Sequence, residues 1–174
     1  MAYIIDLDVV GSPSPLFEAN SPKNGGFRAF NGGRRIDPAN VPTSAVQEDR
    51  RALTQAFRSC GTWCIRQDIK DVIEQVEPNV HQFFPITLKN KAGVPYETAY
   101  YLLNVYNLFP ALILENPDKE MWMYRKRLDV SGEWVQAEPV ISSAPKHGFA
   151  VSRPKMAGRH FWRSHHIGSI ELLC

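Results

Sequence analysis

The chain has 174 residues, of which 44% are hydrophobic, and its formal net charge is +2. This length and apolar content suit one domain, residues 1–174, built around one core, and they exclude a wholly disordered chain. So small a net charge does not by itself indicate a nucleic-acid-binding protein. The 13 prolines and 11 glycines predict many turns and short elements rather than a helical bundle.

The first segment, MAYIIDLDVV, predicts a strand over 3–10, with apolar residues on both faces of an extended chain. It has no basic region before the apolar residues, and Asp6 and Asp8 interrupt them. It therefore resembles neither a signal peptide nor a membrane span. No later stretch is apolar enough to cross a bilayer, so we expect no membrane partner and a cytoplasmic location.

Residues 11–35, GSPSPLFEANSPKNGGFRAFNGGRR, predict a long irregular loop because they are rich in Gly, Pro, Ser and Asn. In 23–35, aromatic residues alternate with basic ones: Phe27 and Phe30 with Lys23, Arg28, Arg34 and Arg35. Bases can stack on aromatic rings while arginines hold phosphates. This loop and the basic C-terminal third are the basis of an alternative function, a nucleic-acid-binding module. In the other interpretation, Phe27 and Phe30 only hold the loop to the domain surface.

Two helices are predicted in the N-terminal half. Ser44 and Gln47 have the spacing of a capping box, and Val46, Leu53 and Phe57 share a helical face, which predicts a helix over about 45–58.

The second helix is predicted over about 69–76, with Asp68 as its N-cap and Pro78 ending it. Its apolar residues recur at i, i+3, i+4 and i+7, and we expect all four to be buried: Ile69, Val72, Ile73 and Val76. Its outer side carries Asp71, Glu74 and Glu77.

From residue 80 the hydrophobic period changes to two, which predicts strands. HQFFPITLKN (81–90) and ETAYYLLNVYN (97–107) flank a turn, and further strands are predicted at 111–114, 121–125, 133–135, 149–152, 160–163 and 169–173. Strands joined by short turns, with two helices early in the chain, indicate an α+β domain with a mainly antiparallel sheet.

The segment HFWRSHH (160–166) suggests a metal site, but its geometry argues against one. On one strand, His160 and His166 would lie roughly 20 Å apart and His165 would point the opposite way. A hairpin would place His165 and His166 at its tip and His160 well down the strand. Metal–nitrogen bonds are only about 2 Å long, so we predict no metal and no cofactor.

The sequence contains no pattern that indicates an enzyme. It has no G-x-S-x-G, and no serine or cysteine with a recognisable base and orienting group. Cys60 and Cys64 are spaced C-x₃-C, unlike zinc or redox motifs, and Cys174 leaves an odd number. We expect reduced structural thiols, no catalytic residue and no enzymatic activity.

Residues 139–170 contain no carboxylate. They form either an ordinary solvated basic face or a patch that binds an acidic partner. The contact candidates are four basic residues with two aromatic ones at their edge: Arg153, Lys155, Arg159, Arg163, Phe161 and Trp162. The competing surface is the acidic side of the second helix, Asp71, Glu74 and Glu77.

The succession of elements from residue 62 onward is informative. WCIRQDIKDVIEQVEPNVHQFFPITL (63–88) combines a short strand, a helix and a second strand, and YYLLNVYN (100–107) and HFWRSHHIGSIELLC (160–174) follow. Over about 62–174 this resembles the eleventh catalogued immunity family of bacterial polymorphic-toxin systems. The family's last strand precedes a serine-capped helix, whereas this chain stops at Cys174.

The resemblance implies a function by binding. An immunity protein neutralises a cognate toxin, encoded next to it, and so protects the producing cell and its sisters. A sequence rich in aromatic residues and arginine is compatible with such an interface.

Overall fold

The computed structural model describes residues 3–5, 14–20, 30, 34–107, 122–128, 134–141, 158–163 and 171–173, and it describes side chains in 14–20, 30, 34–107 and 158–160. The main element is a six-stranded sheet with the order β2-β3-β6-β7-β5-β4. Its strands are β2 (Phe17–Ala19), β3 (Ser44–Gln47), β4 (Ala56–Ser59), β5 (Thr62–Arg66), β6 (Gln82–Lys89) and β7 (Tyr100–Asn104). All neighbours are antiparallel except β3 and β6, which are parallel. The α+β class and the mainly antiparallel sheet are thus confirmed.

The sheet separates two apolar clusters, because alternate residues of a strand point to opposite faces. Along β7, Tyr100 and Leu102 pack into the larger cluster, which also holds Phe57 and Phe84. Leu103, from the other face, packs into the smaller cluster with Trp63, Ile65, Ile73 and Val105. Burial of each such side chain contributes about 1.5–3 kcal/mol relative to exposure.

The described residues contain one α-helix, α1 (Gln67–Val76), where the second helix was predicted, and a short 3-10 helix at Pro38–Asn40. Asp68 does not cap it: the N-cap is Arg66, and Asp68 lies in the first turn, where its carboxylate accepts hydrogen bonds from Arg66. That arginine is the main reason why the pKa of Asp68 falls to about 2. A carboxylate in the first turn also interacts favourably with the helix dipole.

Only part of the predicted apolar face of α1 is buried. Ile73 is 9% exposed and Ile69 packs against the smaller cluster, whereas Val72 and Val76 are 58% and 48% exposed. The predicted burial of these two valines was therefore wrong. The helix presents the i, i+4 row through Ile69 and Ile73 to the sheet, and the neighbouring row through Val72 and Val76 faces outward.

The helix predicted over 45–58 was wrong, because the segment forms β3 and β4 with a connection between them. In β3 Ala45 and Gln47 are buried and Val46 is exposed, which is the alternation of a strand. Gln47 does not act in a capping box. Its side chain donates to Asp49 Oδ1 and to the carbonyl of Arg51, at 2.8 and 2.7 Å, and accepts from the Tyr96 hydroxyl.

The predicted loop 11–35 contains a strand, β2, which pairs with β3. Phe30 does not lie on the surface: it is fully buried in the larger cluster, edge-to-face with Phe84 at 6.0 Å between ring centroids. Residues 34–36 are fixed by β6 and β7, since Gln82 bonds both the N–H and the carbonyl of Ile36 and Asn104 donates to the carbonyl of Arg34. Phe27, Lys23 and Arg28 lie outside the described residues.

The remaining strands form two smaller sheets. β1 (Tyr3–Ile5), β10 (Phe161–Arg163) and β11 (Glu171–Leu173) form an antiparallel sheet in the order β1-β11-β10. β8 (Trp122–Leu128) and β9 (Trp134–Ile141) form an antiparallel pair. The strands predicted near these positions are confirmed, and those predicted at 111–114 and 149–152 lie outside the described residues. None of the helices among the described residues is both long and apolar enough to cross a membrane.

Candidate functional site

The basic contact candidates lie on and before β10. Arg159 is exposed, and Phe161, Trp162 and Arg163 form β10 itself. Arg153 and Lys155 lie outside the described residues. β10 pairs antiparallel with β11, and the register places Arg163 opposite Glu171. This antiparallel pairing agrees with the hairpin considered for the HFWRSHH segment, whose His165 and His166 lie outside the described residues. An acidic position thus faces the last basic one of β10.

A hydrogen bond attaches the start of this hairpin to the end of α1. The backbone N–H of His160 donates to Glu77 Oε1. Glu77 is only 5% exposed, so its predicted place on the outer side of the helix was wrong. The competing acidic surface retains Asp71, which is exposed, and Glu74, which is half-buried.

The Glu77 carboxylate is the centre of a buried polar cluster. Its Oε2 lies 2.6 Å from His81 Nε2 and accepts from Asn107 Nδ2 at 3.1 Å. The N–H of Tyr106 donates to His81 Nδ1 at 3.2 Å, so the proton of the neutral ring is on Nε2 and points at Glu77. This cluster connects the end of α1, the residue before β6, the segment after β7 and the residue before β10.

Burial lowers the pKa of His81, and its hydrogen bond to Glu77 offsets this only in part. The ring is therefore neutral near pH 7 and acts as a donor in a fixed orientation. Its partners are satisfied groups of the fold rather than groups aimed at a cavity, so the cluster is suited to holding the hairpin in place. Sequence reasoning did not pair Glu77 with His81. The two residues are four apart, but Pro78 lies between them and the helix ends before it, so the helical pattern does not predict their contact.

A second feature is a cavity of about 630 Å³ at the opposite end of the strands from the Glu77 cluster. The carboxyl ends of β3, β5 and β6 and the start of β7 meet there. Among the described residues lining it, four cations face one carboxylate, and two tyrosines complete the wall: Arg50, Arg51, Arg66, Lys91, Asp49, Tyr96 and Tyr100. Sequence reasoning missed this cavity because its lining residues come from separate segments between Gln47 and Tyr100 that share no motif.

Hydrogen bonds fix several of the residues that line the cavity. Asp49 accepts from the N–H of Leu16 at 3.0 Å and from Gln47, and it pairs with Arg51 at 3.2 Å. Partial removal from water would raise the pKa of Asp49, but these hydrogen bonds outweigh that effect and lower it. The Tyr100 hydroxyl donates to the carbonyl of Thr54 at 3.0 Å. The wall therefore has a defined shape before any partner arrives.

The cysteines of the described region are not arranged as a catalytic, redox or metal site. Cys64 is fully buried, and burial raises the pKa of its thiol, so it is not a nucleophile near neutral pH. Cys60 and Cys64 are both free thiols. Within the part of the chain that the structure describes, no group of three or more His, Cys, Asp or Glu side chains is placed to hold a metal ion.

The basic loop offers less to a nucleic acid than its sequence suggests. Of its two aromatic residues, Phe30 is in the core and no base can stack on it. Arg34 and Arg35 are exposed, and the Arg35 guanidinium lies 5.5 Å from the centre of the Tyr106 ring.

Comparison with known proteins supplies the family. No curated protein matches the chain. The family model described as immunity protein family Imm11 matches residues 9–174, nearly the whole length, and so includes β2, β3 and β4, which precede the region that the sequence patterns brought out. The chain belongs to the Imm11 immunity protein family.

Proposed function

We propose that this protein neutralises a cognate bacterial toxin by binding it, without chemical change to either protein. The observation that carries the proposal is the match of the Imm11 family model to residues 9–174. The toxin would be encoded beside the immunity gene, and binding would occur in the cytoplasm of the producing cell and its sisters.

The described polar clusters support a binding protein rather than an enzyme. Glu77 and His81 are the buried titratable pair of the described region, and each is engaged with the other and with backbone N–H groups. A catalytic acid or base needs access to the proton that it moves. These groups instead hold chain segments together.

We propose that the basic patch of residues 139–170 contacts the toxin. Arg159 is exposed next to β10, and arginine binds a carboxylate through two parallel hydrogen bonds. The competing acidic surface is weaker than the sequence suggested, because Glu77 is buried and Gln67 Nε2 already donates to Asp71 at 2.6 Å. A basic patch suits a toxin with exposed carboxylates, and opposite charges also accelerate capture.

Survival under toxin expression tests the function itself. The toxin domain encoded beside this gene is expressed from an inducible promoter with and without the chain, and the two purified proteins are mixed for affinity capture. The proposal requires survival and capture together. Death despite soluble immunity protein, with no captured complex, would contradict it.

Charge substitutions test the surface. Arg159→Glu combined with Arg163→Gln should raise the dissociation constant of the complex at least tenfold, about 1.4 kcal/mol. Glutamine is preferred at 163 because a glutamate would stand opposite Glu171 and destabilise the hairpin. The matched control, Asp71→Lys with Glu74→Gln, should change affinity little, and the reverse pattern would move the interface to α1.

A further inference from the structure

The cavity at the ends of β3, β5 and β6 is concave and lined by cations, as expected of a pocket that binds an anionic group. It is a concave site of about 630 Å³, and two exposed cations, Arg50 and Lys91, are among the residues that line it. Arg50 belongs to the connection between β3 and β4, and Lys91 belongs to the turn between β6 and β7. The two come from separate segments, so the fold brings together charges that the sequence keeps apart.

The cations of the cavity divide into two pairs with different surroundings. Arg51 is paired with Asp49 and donates to the carbonyl of Ser14 at 2.8 Å, and Arg66 is paired with Asp68. Arg50 and Lys91 form no ion pair with any described residue. Arg51 and Arg66 are thus fixed parts of the wall, whereas Arg50 and Lys91 remain available to an incoming anion.

We propose that this cavity receives an acidic side chain of the toxin, with Arg50 and Lys91 as the groups that bind its carboxylate. The proposal rests on the proposed function, since it names a contact of the same complex. Charge-assisted hydrogen bonds from arginine and lysine to a carboxylate are about twice as strong as neutral ones. The half-buried Tyr96 also lines the cavity, and tyrosine and arginine are enriched among the residues that carry most of the binding energy at protein interfaces.

A protein ligand fits this site better than a nucleic acid does. Strands of nucleic acid bind along basic grooves that follow several phosphates. Here the four cations line one cavity and do not follow a groove, which suits a single anionic group rather than a run of phosphates.

The position of the cavity makes it testable apart from the basic patch. The hairpin is attached at the Glu77 end of the sheet, and the cavity lies at the other end of β6, roughly 23 Å away at about 3.3 Å per residue. Free-energy changes at such a separation add. Substitutions at the two places should therefore have independent effects on affinity.

The test measures the dissociation constant of the toxin complex for Arg50→Glu with Lys91→Glu. Affinity should fall at least tenfold, and melting temperature should stay close to that of the wild type because both side chains are exposed. The charge-matched control is Arg34→Glu with Arg35→Glu, outside the cavity, which should weaken binding much less. Equal losses in both double variants, or none in the first, would overturn the proposal while leaving wild-type neutralisation intact.

Two further readouts separate the outcomes. Acetylation of Lys91 by a soluble acylating reagent should slow several-fold in the complex relative to the free protein, and an unchanged rate would count against the cavity.

Titration with a single-stranded oligonucleotide at physiological salt should show no submicromolar binding. Submicromolar binding that disappears in the Arg50 and Lys91 variant would assign the cavity to nucleic acid instead. If wild type itself fails to bind the toxin, the proposed function fails with it.

Discussion

At the scale of single residues, Glu77 connects several distant segments of the fold, and no sequence pattern around it indicates this role. Its carboxylate accepts hydrogen bonds from His81, from Asn107 and from the N–H of His160. It is also the residue that sequence reasoning placed on an acidic outer surface. An isolated glutamate before a proline does not reveal its burial, because the partners come from 4, 30 and 83 residues away.

Glu77→Ala should destabilise the protein by about 3 kcal/mol, because it leaves buried donors without an acceptor. Glu74→Ala, a half-exposed glutamate of the same helix, should change the unfolding free energy by no more than about 0.5 kcal/mol. Urea unfolding of the two variants measures the difference. Similar small losses for both would mean that Glu77 is not buried as described.

His81 predicts a pH dependence of stability. Its folded pKa is lowered by burial, so the unfolded chain binds the proton more readily. The contribution of the neutral ring is complete above the unfolded pKa, about 6.5, and is lost as pH falls towards the folded pKa. Between pH 7.5 and 5 the unfolding free energy should decline, by at most about 1.4 kcal/mol per pH unit for this one group. His81→Gln should flatten that decline, and an unchanged slope would rule out His81 as its source.

At the scale of elements, α1 is a helix whose existence was predictable and whose orientation was not. The i, i+3, i+4, i+7 pattern defines a face, but that face is wider than the contact with β5 and β7. Only the row through Ile69 and Ile73 reaches the sheet, and Val72 and Val76 remain outside it.

Ile73→Ala should therefore cost about 2–5 kcal/mol, the range for removal of a buried isoleucine side chain. Val72→Ala should change stability by about 0.5 kcal/mol or less, since the side chain is exposed and alanine favours helices. Equilibrium unfolding of both variants tests the orientation of α1. Equal losses at the two positions would show that the apolar face is buried as a whole.

The strands show the same limit of sequence information. β6 and β7 were predicted because each alternates over several residues and a turn of Lys, Asn and Gly joins them. β3 and β4 are only four residues each, too short for a period to show, and the spacing of Val46, Leu53 and Phe57 imitated a helix. Pairing with β2 and β6 decides the conformation of β3, and such long-range pairing leaves no local mark. β4 pairs with the next strand, β5, across the two-residue turn Cys60-Gly61.

At the scale of the whole molecule, the chain presents basic groups at two ends of one sheet. The hairpin with Arg159 is attached at the Glu77 end, and the cavity with Arg50 and Lys91 lies at the other. The absence of carboxylates from 139–170 identified the first from sequence alone. The second depends on the register of β3, β5, β6 and β7, which no linear pattern encodes.

The stoichiometry of inhibition shows whether this protein neutralises its toxin by binding. The activity of the purified cognate toxin is measured at a concentration far above the dissociation constant while the immunity protein is added in steps. Neutralisation by binding predicts a linear fall in toxin activity that ends at one immunity chain per toxin, with full activity regained when the complex is dissociated and the toxin refolded. Progressive inactivation by substoichiometric immunity protein, or full activity at a molar excess, would contradict it.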